Sequence, residues 1–173
     1  KMKIKLLILD IDGILTDGTK VYAEDGMPKY KRYCDRDFTA IKRFKASGVK
    51  VCFLSGDNRV NEAMAKNRKT DFYYARGKDK VEFLEQFESK YDCLRSEMIY
   101  VGDDIFDMNI MKEVGRAYCP FNSPKEIKDI SYIINAPSGD NLVMRLYDIL
   151  VSQKIIKPCT LQELELLDKL ETF

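Results

Sequence analysis

Two rhythms of apolar positions alternate along the chain: short unbroken apolar runs, and longer stretches with an apolar residue every three or four positions. Lys3 to Ile11 (KIKLLILDI) is too short for a globular helix and is predicted as a strand buried on both faces. A helix is expected around Asp37 to Ser47, where Phe38, Ile41 and Phe44 recur at helical spacing and Gly48 supplies the stop. Residues 49–55 (VKVCFLS) read as a second strand, 58–69 as a helix, Asp71 to Ala75 as a short strand, and 78–90 as a helix carrying Val81, Phe83, Leu84 and Phe87. Met98 to Val101 makes another strand, followed by a helix from Asp104 to Val114 and a short strand at Arg116 to Cys119. Ser123-Pro124-Lys125-Glu126 has the form of a capping box with proline at the first helical position. A strand at Tyr132 to Ile134 and a helix over 140–152 complete the alternation.

Strands that alternate with helices imply right-handed crossovers and a parallel sheet covered on both faces, so the expected fold is a doubly wound α/β domain. One segment breaks the rhythm. Residues 19–33 (TKVYAEDGMPKYKRY) place two polar-apolar stretches around Glu24-Asp25-Gly26, which signals a β-hairpin after the first strand. The tail, 160–173, reads as a further helix with Thr160 and Glu163 as a capping box and Leu161, Leu164, Leu167 and Leu170 along one stripe.

Composition narrows the chemistry. A chain of 173 residues corresponds to one domain, 1–173, which can bury about 70% of the surface that its unfolded form exposes. Twenty-nine basic against 28 acidic residues leave a net charge of +1, without the excess that a nucleic-acid partner requires. No apolar run approaches the ~18 residues of a membrane span and no secretory leader opens the sequence, so no membrane partner and a cytoplasmic location are expected. There are no histidines, which excludes Ser-His-Asp and Cys-His machinery, histidine-ligated zinc and imidazole proton shuttles. The five cysteines are widely spaced and never form C-x-x-C, so they are expected as small buried hydrophobes in a reducing compartment.

In open α/β sheets ligands bind beyond the carboxyl ends of the strands. The first strand ends in Asp10-Ile11-Asp12-Gly13, the second in Ser55-Gly56, the third runs into Gly77-Lys78-Asp79-Lys80, and the strand at Tyr100-Val101 ends in Gly102-Asp103-Asp104, with Asp107 on the next turn. One aspartate after a strand is ordinarily a helix N-cap. Five on one edge are another matter, because like charges about 4 Å apart repel by roughly 4 kcal/mol at an effective dielectric of about 20. A hard cation compensates them, and carboxylates without histidine or thiolate select magnesium, Mg2+.

Asp10 to Gly18 (DIDGILTDG), Ser55-Gly56, Lys80 and Gly102 to Asp107 (GDDIFD) resemble, in order, the four motifs of the haloacid dehalogenase-like phosphatases, over about residues 3–150. The resemblance implies a Rossmann-like core, Asp10 as nucleophile forming an aspartyl-phosphate, and Asp12 as general acid and then base. It implies magnesium held by Asp10, the Asp12 carbonyl and Asp103, with Asp104 and Asp107 in support. Ser55, with Gly56, and Lys80 would bind the phosphoryl oxygens; Lys80 is taken over Lys78 because Asp79-Lys80 matches the motif. Neither inter-motif gap has room for a cap domain. By TDG, the hairpin, Arg36-Asp37 and its length, the chain is similar to the capless sugar-acid phosphatases. These act on 3-deoxy-manno-octulosonate 8-phosphate or on nonulosonate 9-phosphates, as homotetramers assembled through their hairpins. Asp57 after Ser55-Gly56, with Arg68 eleven positions on, is similar to the acid-base pair of the nonulosonate branch, where the octulosonate branch has an arginine in place of the acid. Two alternatives stand beside this reading: a capless phosphatase acting on another phosphate, and a non-catalytic assembly domain related to that of acylneuraminate cytidylyltransferase.

Overall fold

The computed structural model describes residues 2–171. Six parallel strands form one sheet in the order β5-β4-β1-β6-β7-β8: β1 (Leu6–Leu9), β4 (Lys50–Ser55), β5 (Asp71–Tyr74), β6 (Met98–Val101), β7 (Arg116–Pro120) and β8 (Tyr132–Ile134). The chain winds outward from β1 through β4 to β5, then returns to the other side of β1 at β6, so the order of winding reverses at β1. Strand alternation divides the buried side chains. Leu7, Leu9 and Phe53 pack with Phe38, Phe44, Leu146 and Tyr147 on one face, against α1 (Asp35–Ala46) and α6 (Leu142–Ser152). Leu6, Ile8, Leu54 and Tyr100 pack with Phe83, Phe87 and Met111 on the other, against α3 (Leu84–Tyr91) and α4 (Met108–Glu113). The expected hairpin is present as the antiparallel pair β2 (Val21–Tyr22) and β3 (Pro28–Tyr30). Among the described residues no cap interrupts the fold: only this hairpin lies between β1 and α1, and only α2 (Asn61–Asn67) and β5 lie between β4 and the turn that precedes α3.

The element ends differ from the periodicity at instructive places. Helix α2 begins at Asn61 rather than at 58, because Asp57 to Val60 form a turn in which Arg59 N donates to Asp57 Oδ1 and Val60 is held at φ 66°. The helices expected from 78 and from 104 open as 3-10 turns, Lys80–Phe83 and Ile105–Asp107, before α3 and α4. Ser123 does not cap α5 (Lys125–Lys128): its backbone closes a turn onto Pro120, and its hydroxyl is buried with no hydrogen-bond partner among the described residues. Cys52, Cys93 and Cys119 are buried as expected, whereas Cys34 and Cys159 are half-exposed. The tail helix α7 (Leu161–Asp168) has the expected cap, with Glu163 N donating to Thr160 Oγ1. It lies on α1 through Lys42, which pairs with Asp168 at 2.6 Å and Glu171 at 3.2 Å, and it leaves Leu161 and Leu170 exposed. The last two residues of the expected tail helix lie outside the described residues. Among the described residues, no helix is long and apolar enough to cross a membrane.

Helix α6 takes its cap from another helix. Asp37 on α1 is fully buried, and its Oδ1 accepts from Val143 N (3.0 Å) and Met144 N (3.2 Å), so a carboxylate meets the partial positive charge of the α6 N-terminus. Burial outweighs these hydrogen bonds and lifts its pKa to about 6. A raised folded-state pKa contributes stability that is fully present below the unfolded value, near 4, and is lost as pH rises through about 6. Urea unfolding at a series of pH values is therefore expected to show the wild type gaining about 2–3 kcal/mol on Asp37→Asn between pH 7 and pH 4. Parallel pH profiles of the two proteins would refute this.

Candidate active site

Strands β1 and β6 are neighbours, with Leu9 opposite Val101, so Asp10 and Asp103 leave the sheet side by side. The crowding there dictates glycine. Gly13 adopts φ +82°, and a Cβ on it would lie 1.9 Å from Asp103 Oδ2; a Cβ on Gly102 would lie 2.7 Å from the Asp107 carboxylate. Carboxylate oxygens of Asp10, Asp103 and Asp107 all fall within 4.8 Å of one another. Burial drives the Asp10 carboxyl well above the usual range against the pull of Lys80, and Asp107 and Asp103 add to the rise. Burial, then Asp107 and Asp104, lift Asp103 to about 7. Two carboxyls that resist ionising, with no histidine or thiolate in the cluster, fit a hard divalent cation.

Lys80 lies inside this cluster, 2.8 Å from Asp107 Oδ1 and 3.3 Å from Asp10 Oδ2, and it donates to Tyr100 Oη at 3.0 Å. Burial lowers its pKa, but Asp10 and Asp107 outweigh that, and the ammonium stays charged. Lys78 instead sits over the Phe83 ring, 5.7 Å from its centroid, at the cavity wall. Asp107 is committed on both oxygens. Oδ1 accepts from Lys80 Nζ and the Tyr100 hydroxyl, and Oδ2 accepts from the backbone N–H of Asp103 and Asp104. Asp107 thus fixes the Gly102–Asp104 loop from behind. Asp104 is exposed, and its Oδ1 accepts from Ile105 N as the cap of the next turn.

On the β4 side, the buried Ser55 hydroxyl donates to the Asp57 carbonyl at 3.0 Å. Gly56 lines the cavity, and a Cβ there would meet nothing within 4 Å. Asp57 and Arg68 do not form the expected pair. Arg68 lies over the Phe38 ring, 3.9 Å from its centroid, and reaches Glu171 at 2.8 Å, because α2 turns that position toward α1 and the tail. Asp57 pairs instead with Lys31 (3.0 Å), Arg59 (3.0 Å) and Lys20 (3.1 Å). Burial pushes the Asp57 carboxyl up, and the hydrogen bonds from these three cations overcome it and hold the group well below the usual carboxylate range. Asp12 points to the same region, 3.0 Å from Lys31 Nζ and 3.0 Å from Asn61 Nδ2.

Lys31, Asn61, Tyr33 and Tyr100 are the site residues that the motifs missed. Lys31 and Tyr33 lie in the segment read as hairpin, Asn61 in the segment read as a helix over 58–69, and Tyr100 in the segment read as a strand at Met98 to Val101. For Tyr100 a signal existed: it stands two residues before Gly102, and strand alternation turns both the same way. The carboxylates, Ser55 and Lys80 line a cavity of about 910 Å³, rimmed by Ile105 and by Phe106, which is 82% exposed.

No family model matches the chain. It is similar to the 3-deoxy-D-manno-octulosonate 8-phosphate phosphatase of Escherichia coli strain K12, with 28% identity over 151 residues that cover 86% of this chain and 79% of that protein. Among solved structures it is similar to the Moraxella catarrhalis 3-deoxy-D-manno-octulosonate 8-phosphate phosphatase in complex with magnesium ion, phosphate ion and KDO. That likeness has a TM-score of 0.79 at 25% identity and covers 86% of both chains. The cobalt-bound Haemophilus influenzae phosphatase shares the fold, with a TM-score of 0.81 at 22% identity over 87% of this chain and 88% of that one. A shared fold would leave the chemistry open, but relatives that match across most of the chain, and four motifs that meet at one strand edge, make this chain similar to the capless phosphatases of the haloacid dehalogenase-like superfamily.

Proposed function

We propose that the chain is a magnesium-dependent phosphomonoesterase that hydrolyses a sugar acid phosphate through an aspartyl-phosphate on Asp10. The observation that carries this reading is the placement of Lys80 between Asp10 and Asp107, with Asp103 alongside, at the floor of an open cavity. Asp10 attacks phosphorus in line. Asp12 gives its proton to the departing alkoxide and later takes one from the water that attacks the aspartyl-phosphate. Ser55 and Lys80 hold the phosphoryl oxygens where charge gathers, the larger part of the catalytic demand in phosphoryl transfer. Magnesium would be held by Asp10, the backbone carbonyl of Asp12 and Asp103, with Asp104 and Asp107 as outer support, and would screen the phosphate dianion from the carboxylates.

The sugar acid comes from the relatives, whose named substrate is an eight-carbon acid phosphate. A second reading, a nine-carbon 9-phosphate, is favoured by one residue: Asp57 stands where an arginine is expected for the eight-carbon branch. The failure of Arg68 to reach Asp57 removes the other half of that argument. The hairpin exposes Val21, Tyr22, Met27 and Tyr30 together, which supports a homo-oligomer, most simply a tetramer, built on this segment. Phosphate release from 3-deoxy-manno-octulosonate 8-phosphate and from a nonulosonate 9-phosphate tests the reading. At least one is expected to have a kcat/KM about 100-fold above that of a phosphorylated DNA end or a phosphopeptide, a difference of about 2.7 kcal/mol in transition-state binding. Equal or faster turnover of the nucleic-acid or peptide phosphate would favour a different substrate class, and no turnover at all would favour the non-catalytic assembly domain.

A further inference from the structure

Beside the reacting carboxylate lies a small network that none of the four motifs contains. Lys31 and Tyr33 lie in the segment that leaves β3, and both side chains enter one hydrogen-bonded network with Asp12. The Lys31 side chain is 0% exposed, and its ammonium lies 3.0 Å from a carboxylate oxygen of Asp12 and 3.0 Å from one of Asp57. The Tyr33 hydroxyl donates to Asn61 Oδ1 at 2.8 Å, and Asn61 Nδ2 donates to Asp12 Oδ2 at 3.0 Å. Asn61 is itself fully buried and also donates to the Asp57 carbonyl at 3.0 Å. The Asp12 carboxyl is thus gripped from two sides, by Lys31 from the end of the hairpin and by Asn61 at the start of α2, which Tyr33 in turn holds.

Burying a lysine side chain costs several kcal/mol unless it is paired, so an ammonium kept here is expected to serve its partners. We propose that Lys31 is a positioning residue for the acid step, acting with Tyr33 through Asn61 to hold the Asp12 carboxyl where it meets the leaving oxygen. The inference rests on the general-acid role given to Asp12. In that step the Asp10–phosphorus bond forms, the bond from phosphorus to the leaving oxygen breaks, and the Asp12 proton passes to that oxygen. Because Asp57 also pairs with the ammonium, Lys31 keeps a partner while Asp12 changes between its acid and carboxylate forms. The hairpin therefore bears on the chemistry as well as on assembly.

The test is the dependence of kcat/KM on leaving-group pKa, measured on the magnesium-loaded full chain with 4-nitrophenyl phosphate, phenyl phosphate and a primary alkyl phosphate. This parameter ends at formation of the phospho-enzyme, so the later hydrolysis does not mask the effect. A good leaving group needs little protonation and a poor one needs much. In Lys31→Met the alkyl phosphate is expected to lose about 100-fold and nitrophenyl phosphate less than about fivefold, within the range that general acid catalysis supplies. Tyr33→Phe, a milder change, is expected to move the same way by about three- to tenfold on the alkyl ester, and Lys31→Arg to recover part of the loss. Equal losses on all three esters, or none, would overturn the proposal. Asp12→Asn separates the two levels: if it steepens the dependence and Lys31→Met does not, the positioning role alone fails, and if Asp12→Asn loses all esters equally, the acid role and the proposal fall together.

Discussion

Asp10→Asn is expected to lower turnover of every phosphomonoester by about 10⁴-fold or more while leaving the fold in place, because it removes the nucleophile of the proposed reaction at nearly constant volume. The backbone tolerates the change. Ile11 N donates to Asp10 Oδ1 at 2.7 Å, a bond that an amide oxygen can also accept. A neutral group at this position relieves the crowding with Asp103 and Asp107, at the cost of the 3.3 Å pairing with Lys80, which keeps its bond to Asp107. The thermal midpoint should therefore stay within a few degrees of the wild type. Rapid-quench experiments with radiolabelled substrate should trap an acid-stable, base-labile acyl phosphate in the wild type and none in the variant. Residual activity above about 1% in Asp10→Asn would contradict the covalent route, since the uncatalysed attack of water has no equivalent of that nucleophile.

What the sequence disclosed follows from the range over which each signal acts. Strand and helix order came from local periodicity. The six strands and the hairpin could be placed because runs such as LLIL and KVCFLS have no helical alternative of that length. Asp10 and Asp103 could be named because each follows a strand end, and parallel neighbours bring those ends to one edge, whereas Lys80 was separated from Lys78 only by the resemblance of Asp79-Lys80 to the family motif. The pairings across the site were not accessible in the same way. That Arg68 turns to Phe38 and Glu171 depends on where α2 starts, and this start is set by the left-handed Val60, a conformation that no propensity foretells for a β-branched residue. Lys31 carried no local mark either. A lysine in a polar hairpin is ordinarily solvated, and only the return of the chain past Asp12 and Asp57 makes this one a buried bridge. Ser123 shows the converse: a well-formed cap motif that tertiary packing overrides.

Removal of divalent metal is expected to abolish turnover, by at least about 10³-fold, and added magnesium should restore it. The physical reason lies in the cluster itself. Lys80 is the ammonium paired with Asp10 and Asp107, whereas Asp10, Asp103 and Asp107 bring three carboxyls into the same space, and a phosphate monoester dianion would add two further negative charges. Burial and the neighbouring carboxylates push the Asp10 and Asp103 carboxyls upward in that setting, and a bound cation would favour their ionised forms. Calcium should bind and fail to support activity, because its larger and looser coordination does not hold the carboxylates as compactly. Two measurements distinguish a metal in the reaction from one that merely stabilises the fold. Magnesium should raise the thermal midpoint of the wild type but not of Asp103→Asn, since binding to the folded state alone stabilises it by RT ln(1 + [L]/Kd). Turnover should disappear in excess chelator at temperatures far below the metal-free midpoint, where the chain remains folded. Full activity under that condition, with the metal-dependent shift in midpoint intact, would separate the cluster from the chemistry.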